Sequence, residues 1–522
     1  MNPVDHDDYY DIDDLDHSSS PADEVVANIL NLYDTFEDKT QLIQINDYIN
    51  LVRAFEEHYN SLTSDPENFM TFGQFEELLH ELQTKTSDAN LRSVLTKLSQ
   101  INGEDSVIRQ KKKEYREKGI KLRKFRRYKS DALTLEGRLF YERMALIPSS
   151  ERDKDKLKEI GITGFVYPID EVFGFNRLPY KITIGAMLEI AKESSRCESY
   201  EEAEQILKEK TKINTNDDTM RHVTNIIGAI VFNNDMMIAN NVWDDLKAGR
   251  LILPDTKINH TIYLEADGAM ISTRQEGQKG SVYKENKLGM VFSSDQLLYW
   301  TDKHGKKKRK IKKREYTAFI GDCETFNKLF FASAIRNGYG KYKRTVLISD
   351  GAAWIRKMKQ DLFPDALQIL DFYHLYEHVS DYGKLLFNSD EDKYLPWSKE
   401  ICRLFKESKT SAAIAALKDV KTKHSALELD KLLKYIENNK NNIDYAKYRA
   451  NNYFIGSGAI ESSNRTVLQR RLKYGAMRWN LNSGQAVVSL VAKKRSELWL
   501  SDVVKPVFSY YGEPTVTSWN QF

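Results

Sequence analysis

At 522 residues, 41% of them apolar and 30% charged, the chain has enough apolar sequence to fill roughly two to four cores. No run approaches the ~20 apolar residues of a membrane-spanning helix, and the acidic opening stretch resembles neither a secretory signal nor a transit peptide, so a cytoplasmic protein is expected. Cys197, Cys323 and Cys402 lie far apart and form no CxxC pair, which argues against a disulfide framework or a cysteine zinc site and leaves reduced, mostly buried thiols.

The net charge of +2 hides strong segregation. Residues 1–24 carry nine Asp or Glu and no Lys or Arg, a composition that predicts a disordered acidic tail. Residues 25–108 show helical spacing, as in Val25, Val26, Ile29, Leu30 and Leu32, and predict a helical N-terminal domain. Residues 109–178 begin with a basic block: positions 109–129 hold twelve Lys or Arg against Glu114 and Glu117. The mixed segment LEGRLFYERMALIPSS then reads as a short hairpin closed by Pro148.

Residues 179–250 give three helical segments, KITIGAMLEIAKES, YEEAEQILKEK and DDTMRHVTNIIGAI, spaced like a helix-turn-helix DNA-binding domain. In the third, Met220, Val223 and Ile227 share one face and Asp217 is the expected cap. Thr219, Arg221, His222 and Asn225 are then free to meet a groove of double-stranded DNA. An ordinary three-helix core is the plainer alternative.

From residue 255 the pattern turns to strands: TIYLEAD, KLGMVFSS, DQLLYW, YTAFIGD, RTVLISD and ALQILDF, with helices from Cys323, Ala352 and Tyr373. Strands in hairpins followed by alternating strand and helix predict an α/β domain, a mixed sheet flanked by helices, over 255–387. A second basic block at 303–314 carries nine Lys or Arg, with Lys307, Lys308, Arg309 and Lys310 placed on a hairpin that would grip DNA nonspecifically. Residues 388–454 read as a helical insertion, 455–505 as the second part of the same domain, and 506–522 as a C-terminal tail.

Two apolar runs end on carboxylates, Asp267 before Gly268 and Asp350 before Gly351, which places both at sheet ends. Glu461 falls in the first turns of a helix opened by glycines and Ser457, where negative charge is favoured. Carboxylates on separate rigid elements suit hard divalent cations and phosphoryl transfer on nucleic acid. On the Glu461 helix and the loop after it, Asn464, Arg465, Arg470, Arg471, Lys473 and Arg478 form a basic, polar face suited to a DNA backbone, with Trp479 placed to stack on an unpaired base or simply to pack in the core.

The ordered motifs EADG, ISDGAAWI, LDFYHLYEHV, GSGAIESSNR and RRLKYGAMRW, over about residues 180–500, resemble the DDE transposases of bacterial insertion sequences in the Mutator-like group. The resemblance implies an RNase H-like catalytic domain with a helical insertion, preceded by mostly helical DNA-binding domains. It carries three metal ligands onto Asp267, Asp350 and Glu461, holding two Mg²⁺ about 3.5–4 Å apart, with Mn²⁺ as a possible substitute. In that scheme Asp267 bridges the ions while Asp350 and Glu461 hold one each. Asp371 and His374 match the Asp-x-x-His element of the group, His374 touching the scissile phosphate or a ligand's neighbour and Asp371 orienting it.

The implied activity is binding of the element ends, strand cleavage, and strand transfer into target DNA. A bacterial, nucleoid-associated protein acting as a homodimer or larger assembly follows from that function. Family members often carry paired cysteines that suggest a zinc site; this chain lacks them, so no structural zinc is expected. Three alternatives stay open: a nuclease or resolvase on the same fold that does not join strands, a DNA-binding protein without catalysis, and, remotely, a zinc peptidase in which His374, Glu377 and His378 spell HxxEH.

Overall fold

The computed structural model describes residues 101–512 apart from 255–256, 275–279, 306, 421–425 and 476. The expected acidic tail at 1–24 and nearly all of the expected helical domain at 25–108 lie outside the described residues. The chain divides into two compact units, one ending at Thr183 and taking in Thr211–Ile213, the other comprising Ile184–Lys210 and the chain from Asn214 onward.

The first unit contains helix α1 (Ile101–Glu117), strands β1 (Leu122–Thr134) and β2 (Gly137–Pro148), and helices α2 (Glu151–Glu159) and α3 (Pro168–Val172). The hairpin is longer than its sequence suggested. Residues 122–129, read as part of a basic segment preceding it, form the first half of β1, because β2 pairs Leu122 with Pro148 through to Lys124 with Leu146 and then Arg127 with Met144 through to Lys129 with Glu142. Ile108, Tyr115, Ile120, Leu122, Leu146, Leu157 and Val166 make its buried core.

In the second unit, helices α4 (Ile184–Arg196), α5 (Tyr200–Lys210) and α6 (Asp217–Lys247) come first. The expected helical trio is present, but α6 runs to Lys247, well beyond the expected segment, and its cap is Asn216, whose Oδ1 accepts from the Thr219 N–H at 2.8 Å. Asp217 lies one position inside, in the first turn, where its charge meets the positive end of the helix. Met220, Val223 and Ile227 are fully buried.

The α/β core follows: β3 (Ile258–Thr273), β4 (Val282–Ser293), β5 (Leu297–Thr301), β6 (Lys307–Ile311), β7 (Glu315–Ile320), α7 (Cys323–Arg336), β8 (Tyr342–Ser349), α8 (Ala353–Leu362), β9 (Leu367–Leu370) and α9 (Phe372–Leu386). Five strands make one mixed sheet in the order β7-β4-β3-β8-β9, antiparallel on the β7 side and parallel from β3 to β9. β5 and β6 leave the sheet as a separate hairpin. Short apolar runs such as Val346, Leu347 and Ile348 are buried on both faces, which explains their unbroken hydrophobicity.

Alternation along β3 sends Ile262, Leu264 and Ala266 toward Phe326, Phe330, Ile355 and Met358 of α7 and α8, and Tyr263 and Ile271 to the opposite core. Each fully buried Ile, Leu, Phe or Met among them contributes roughly 1.5–3 kcal/mol. That opposite core is closed by α9, by α10 (Glu391–Lys406), α11 (Thr410–Asp419), α12 (Ala426–Asn438) and α13 (Tyr445–Ala450), and by α14 (Gly458–Ser463), α15 (Arg470–Leu472) and α16 (Leu481–Arg495). Among the described residues, 388–454 contain helices and no strand. A π-helical segment, Asn464–Gln469, joins α14 to α15. Helix α17 (Lys505–Tyr511) occupies the start of the expected tail, with Val507, Phe508 and Tyr511 buried. No helix among the described residues is long and apolar enough to cross a membrane.

Candidate active site

Strand register fixes the first two carboxylates. β3 and β8 run parallel with Glu265 beside Ile348, so two residues further on, Asp267 and Asp350 lie side by side on the face that also carries Tyr263, Val346 and Ile348; the expected sheet end holds for Asp350 only, since β3 continues through Gly268 to Thr273 by pairing with β4. Asp350 sits just past the end of β8, and its Oδ1 accepts the Ala352 N–H at 2.8 Å. Gly351 turns the chain there with φ of +87°, and a Cβ at that position would meet Asn439 Oδ1 at 2.9 Å. The helical insertion holds this turn: the Tyr435 hydroxyl donates to the Asp350 carbonyl oxygen at 2.8 Å.

Asp267 Oδ1 accepts the Gly268 N–H at 2.7 Å, and its Oδ2 accepts from Asn464 Nδ2. Burial lifts the Asp267 carboxyl above its ordinary range and the neighbouring Asp350 adds to the effect, against the donors Gly268 and Asn464 and the nearby His374. Glu461 lies on α14, and behind it Asp371 caps α9, its Oδ1 accepting the Tyr373 N–H at 2.7 Å. Ser457 Oγ donates to Asp371 Oδ2 and reaches Glu461 Oε1 at 3.2 Å, tying the starts of α9 and α14 together. The close approach needs glycine at 456, where a Cβ would stand 2.5 Å from the Tyr373 ring. Glu461 is exposed on α14, and its carboxyl is nonetheless raised, by partial desolvation of the oxygens turned inward and by its hydrogen bond with Asp371 and that group's charge.

One acidic residue escaped the sequence reading. Glu265, in the same EADG motif as Asp267 and on the same face of β3, is 1% exposed and accepts the Ile460 N–H at 3.1 Å. Burial pushes it up to about 8, and Asp371 and Glu461 reinforce the shift. Its two-residue spacing from Asp267 was the available signal, masked because a Glu inside an apolar run resembles the solvent face of an amphipathic strand. The four segments thus bring Glu265, Asp267, Asp350, Asp371 and Glu461 to one end of the sheet.

As the side chains stand, no group of three or more His, Cys, Asp or Glu among the described residues is gathered closely enough to hold a metal ion. Asp267, Asp350 and Glu461 each have an oxygen turned onto a donor of the protein. His374 Nδ1 lies 3.5 Å from Glu377, its ring meets that of His378 edge-on at 4.7 Å, and His378 leans on Tyr435 at 4.4 Å. The HxxEH pair therefore packs against the insertion.

The expected DNA-contacting residues separate into two sets. Arg465, Arg470, Lys473 and Arg478 are exposed, Arg470 pairing with Glu198 at 3.1 Å, and Lys307, Lys308 and Lys310 are exposed on β6. Arg309, on the same strand, lies 3.4 Å over the Phe454 ring. Asn464, Arg471 and Trp479 are buried instead. Arg471 is 2% exposed, donates to the Ser194 and Glu198 carbonyls and stacks on Tyr200; Trp479 donates to the Leu472 carbonyl at 3.0 Å while its backbone pairs with the end of β3. The backbone-contact and base-stacking roles expected of these two side chains find no surface here, because both are packed inside the protein, although Arg471 Nη2 is left there without a hydrogen-bond partner. On α6, Arg221 is exposed but paired with Asp218, His222 stands 4.0 Å from the same carboxylate, and Thr219 and Asn225 are half-buried. No protein-family model matches the chain, and no curated protein matches it.

Proposed function

We propose that the chain is a DNA-processing enzyme of the DDE transposase type, with Asp267, Asp350 and Glu461 as the ligands of two divalent cations. The α/β unit with its mixed five-stranded sheet is compatible with an RNase H-like core, and the helices of 388–454 sit where that reading places an insertion. The observation that carries the proposal is the gathering of carboxylates from β3, β8, α9 and α14 at one sheet end, with Asp267, Glu265 and Glu461 all raised. A cluster so short of compensating charge is relieved by cations, and its donors are all hard oxygens, the set that Mg²⁺ and Mn²⁺ prefer.

An orphaned atom supports the same fit. Asn464 is 4% exposed, and while its Nδ2 holds Asp267, its Oδ1 has no partner. That leaves a neutral oxygen beside the first carboxylate. When bound, the two ions would polarise the scissile phosphate and lower the pKa of the attacking oxygen. The chain's own residues supply the alignment: β3 and β8 fix Asp267 against Asp350, Tyr435 pins the Asp350 turn, and Ser457 ties Glu461 to Asp371. Exposed Arg465, Lys473 and Arg478 follow Glu461 along the chain and suit the backbone of the bound duplex.

Element-end recognition by α6 has less support than the cleavage chemistry. Its first turn carries Asp217 and Asp218, and Asp218 already holds Arg221, so the helix start presents an acidic charge to a phosphate backbone. The test is incubation of the purified protein with linear DNA bearing candidate element ends, in Mg²⁺ or in chelator. Cation-dependent cleavage followed by joined products fits a transposase, and cleavage without joining fits the nuclease reading. Binding that ignores the chelator and yields no cut strands contradicts both.

A further inference from the structure

The longer of the chain's two basic blocks lies in the first unit. Residues 109–129 form the end of α1 and the first half of β1. The register of β1 against β2 breaks between Lys124 and Arg127. A bulge bends its strand and re-aims side chains, and the two residues inside this one are Phe125 and Arg126. Phe125 is 48% exposed and Phe165 39%. Their rings stack with centroids 5.6 Å apart and planes 14° from parallel. Tyr128 tilts onto Phe165 at 5.5 Å, and the Arg126 guanidinium lies 4.6 Å over the Tyr128 ring while its Nε donates to the hydroxyl at 2.6 Å.

The stack is braced from the interior. Tyr167 meets Phe165 edge-on at 6.0 Å, Arg143 lies 3.5 Å over Tyr167, and Arg143 is paired with the buried Asp170. Neither phenylalanine belongs to the buried core of this unit. Single exposed apolar residues need no explanation, but two phenylalanines stacked on each other at the surface and flanked by exposed Arg123, Arg126 and Lys129 do.

We propose that this aromatic face binds single-stranded nucleic acid, the bases stacking on Phe125 and Phe165 and the basic residues of β1 following the phosphates. The positive charge selects a polyanion, and the exposed rings select one whose bases are unpaired, since a duplex hides its base faces and an acidic peptide offers none. Stacking reads neither base identity nor the sugar, so DNA and RNA strands share the chemistry.

The test is fluorescence anisotropy with the full chain in EDTA, using labelled oligo(dT), oligo(rU), a duplex of equal length and poly-glutamate. Both single strands should bind more tightly than the duplex and the polypeptide. Phe125→Ala should weaken single-strand binding about tenfold, Phe125→Tyr should restore it, and Phe125→Ala should leave the dependence on salt unchanged. Phe125→Ala binding as tightly as the parent, or equal affinity for duplex or poly-glutamate, would overturn the proposal. Asp350→Asn separates it from the carboxylate chemistry, because that variant should lose cleavage and keep Phe125-dependent binding.

Discussion

Asn464 shows how one side chain can change meaning between sequence and structure. In the sequence it stands beside Arg465 and reads as a phosphate contact, yet its amide is buried, with Nδ2 donating to Asp267 and Oδ1 left without a partner. Asn464→Ala should therefore lower Mn²⁺ affinity about 10–100-fold, the usual cost of losing a group that orients a metal ligand. Calorimetric titration checks this, and an unchanged affinity with an unchanged melting temperature would show that Asn464 does nothing for Asp267.

Trp479 makes the complementary case. It is 7% exposed, with Arg471 5.0 Å from its ring and Leu472 accepting its indole N–H. Trp479→Ala should destabilise the second unit by about 3–5 kcal/mol in denaturant titration, whereas a ring held out for DNA would leave stability untouched. Of the three carboxylates, Asp350 does follow its strand directly, as an apolar run stopped by glycine suggested, whereas β3 runs on past Asp267 and Gly268 to Thr273, and Glu461 was read from a helix start instead. Burial of Arg471 was not legible, and for Trp479 the sequence left core packing and base stacking both open, because only the packing of α4 and the end of β3 against this segment decides it.

At the scale of elements, the sheet and most of its helices could be read from apolar runs and glycine breaks, since burial on both faces leaves a continuous hydrophobic signature. What the sequence did not announce was pairing. β5 follows β4 through a single 3₁₀ turn and reads as another strand of the sheet, yet it pairs only with β6. The expected end of α6 near residue 230 fails for a related reason: the apolar stripe of its first half gives way to mixed residues, while Ala239 and Val242 still pack against α7 and its surroundings.

Charged groups also join elements. Lys493 on α16 pairs with Asp502 at 2.9 Å and Asp235 at 2.8 Å, and Arg336 on α7 pairs with Asp502 at 2.6 Å and with Glu315 on β7. Although burial alone would raise the Asp502 carboxyl, Lys493 and Arg336 hold it down, to about 2 from 3.8. A depressed carboxyl contributes stability that is present above pH 3.8 and lost as pH falls through about 2. Asp502→Asn should thus cost about 3 kcal/mol at neutral pH, and the gap from the parent should close as the pH approaches 2. Urea titrations at several pH values measure it, and a gap independent of pH would assign the loss to packing instead.

For the whole molecule, the central claim is that chain-remote carboxylates work as one set. β3 and β8 bring Asp267 beside Asp350, the insertion pins the Asp350 turn through Tyr435, and Ser457 links Glu461 to Asp371. Such a set stands against neutral-pH repulsion only through burial and shared hydrogen bonds, and divalent cations would complete it. The most direct measurement is the single-turnover rate of strand cleavage by Asp350→Asn against the parent protein, both in Mg²⁺. The account predicts a loss of several orders of magnitude with a melting temperature close to the parent's. Cleavage by Asp350→Asn at a rate near that of the parent would contradict it.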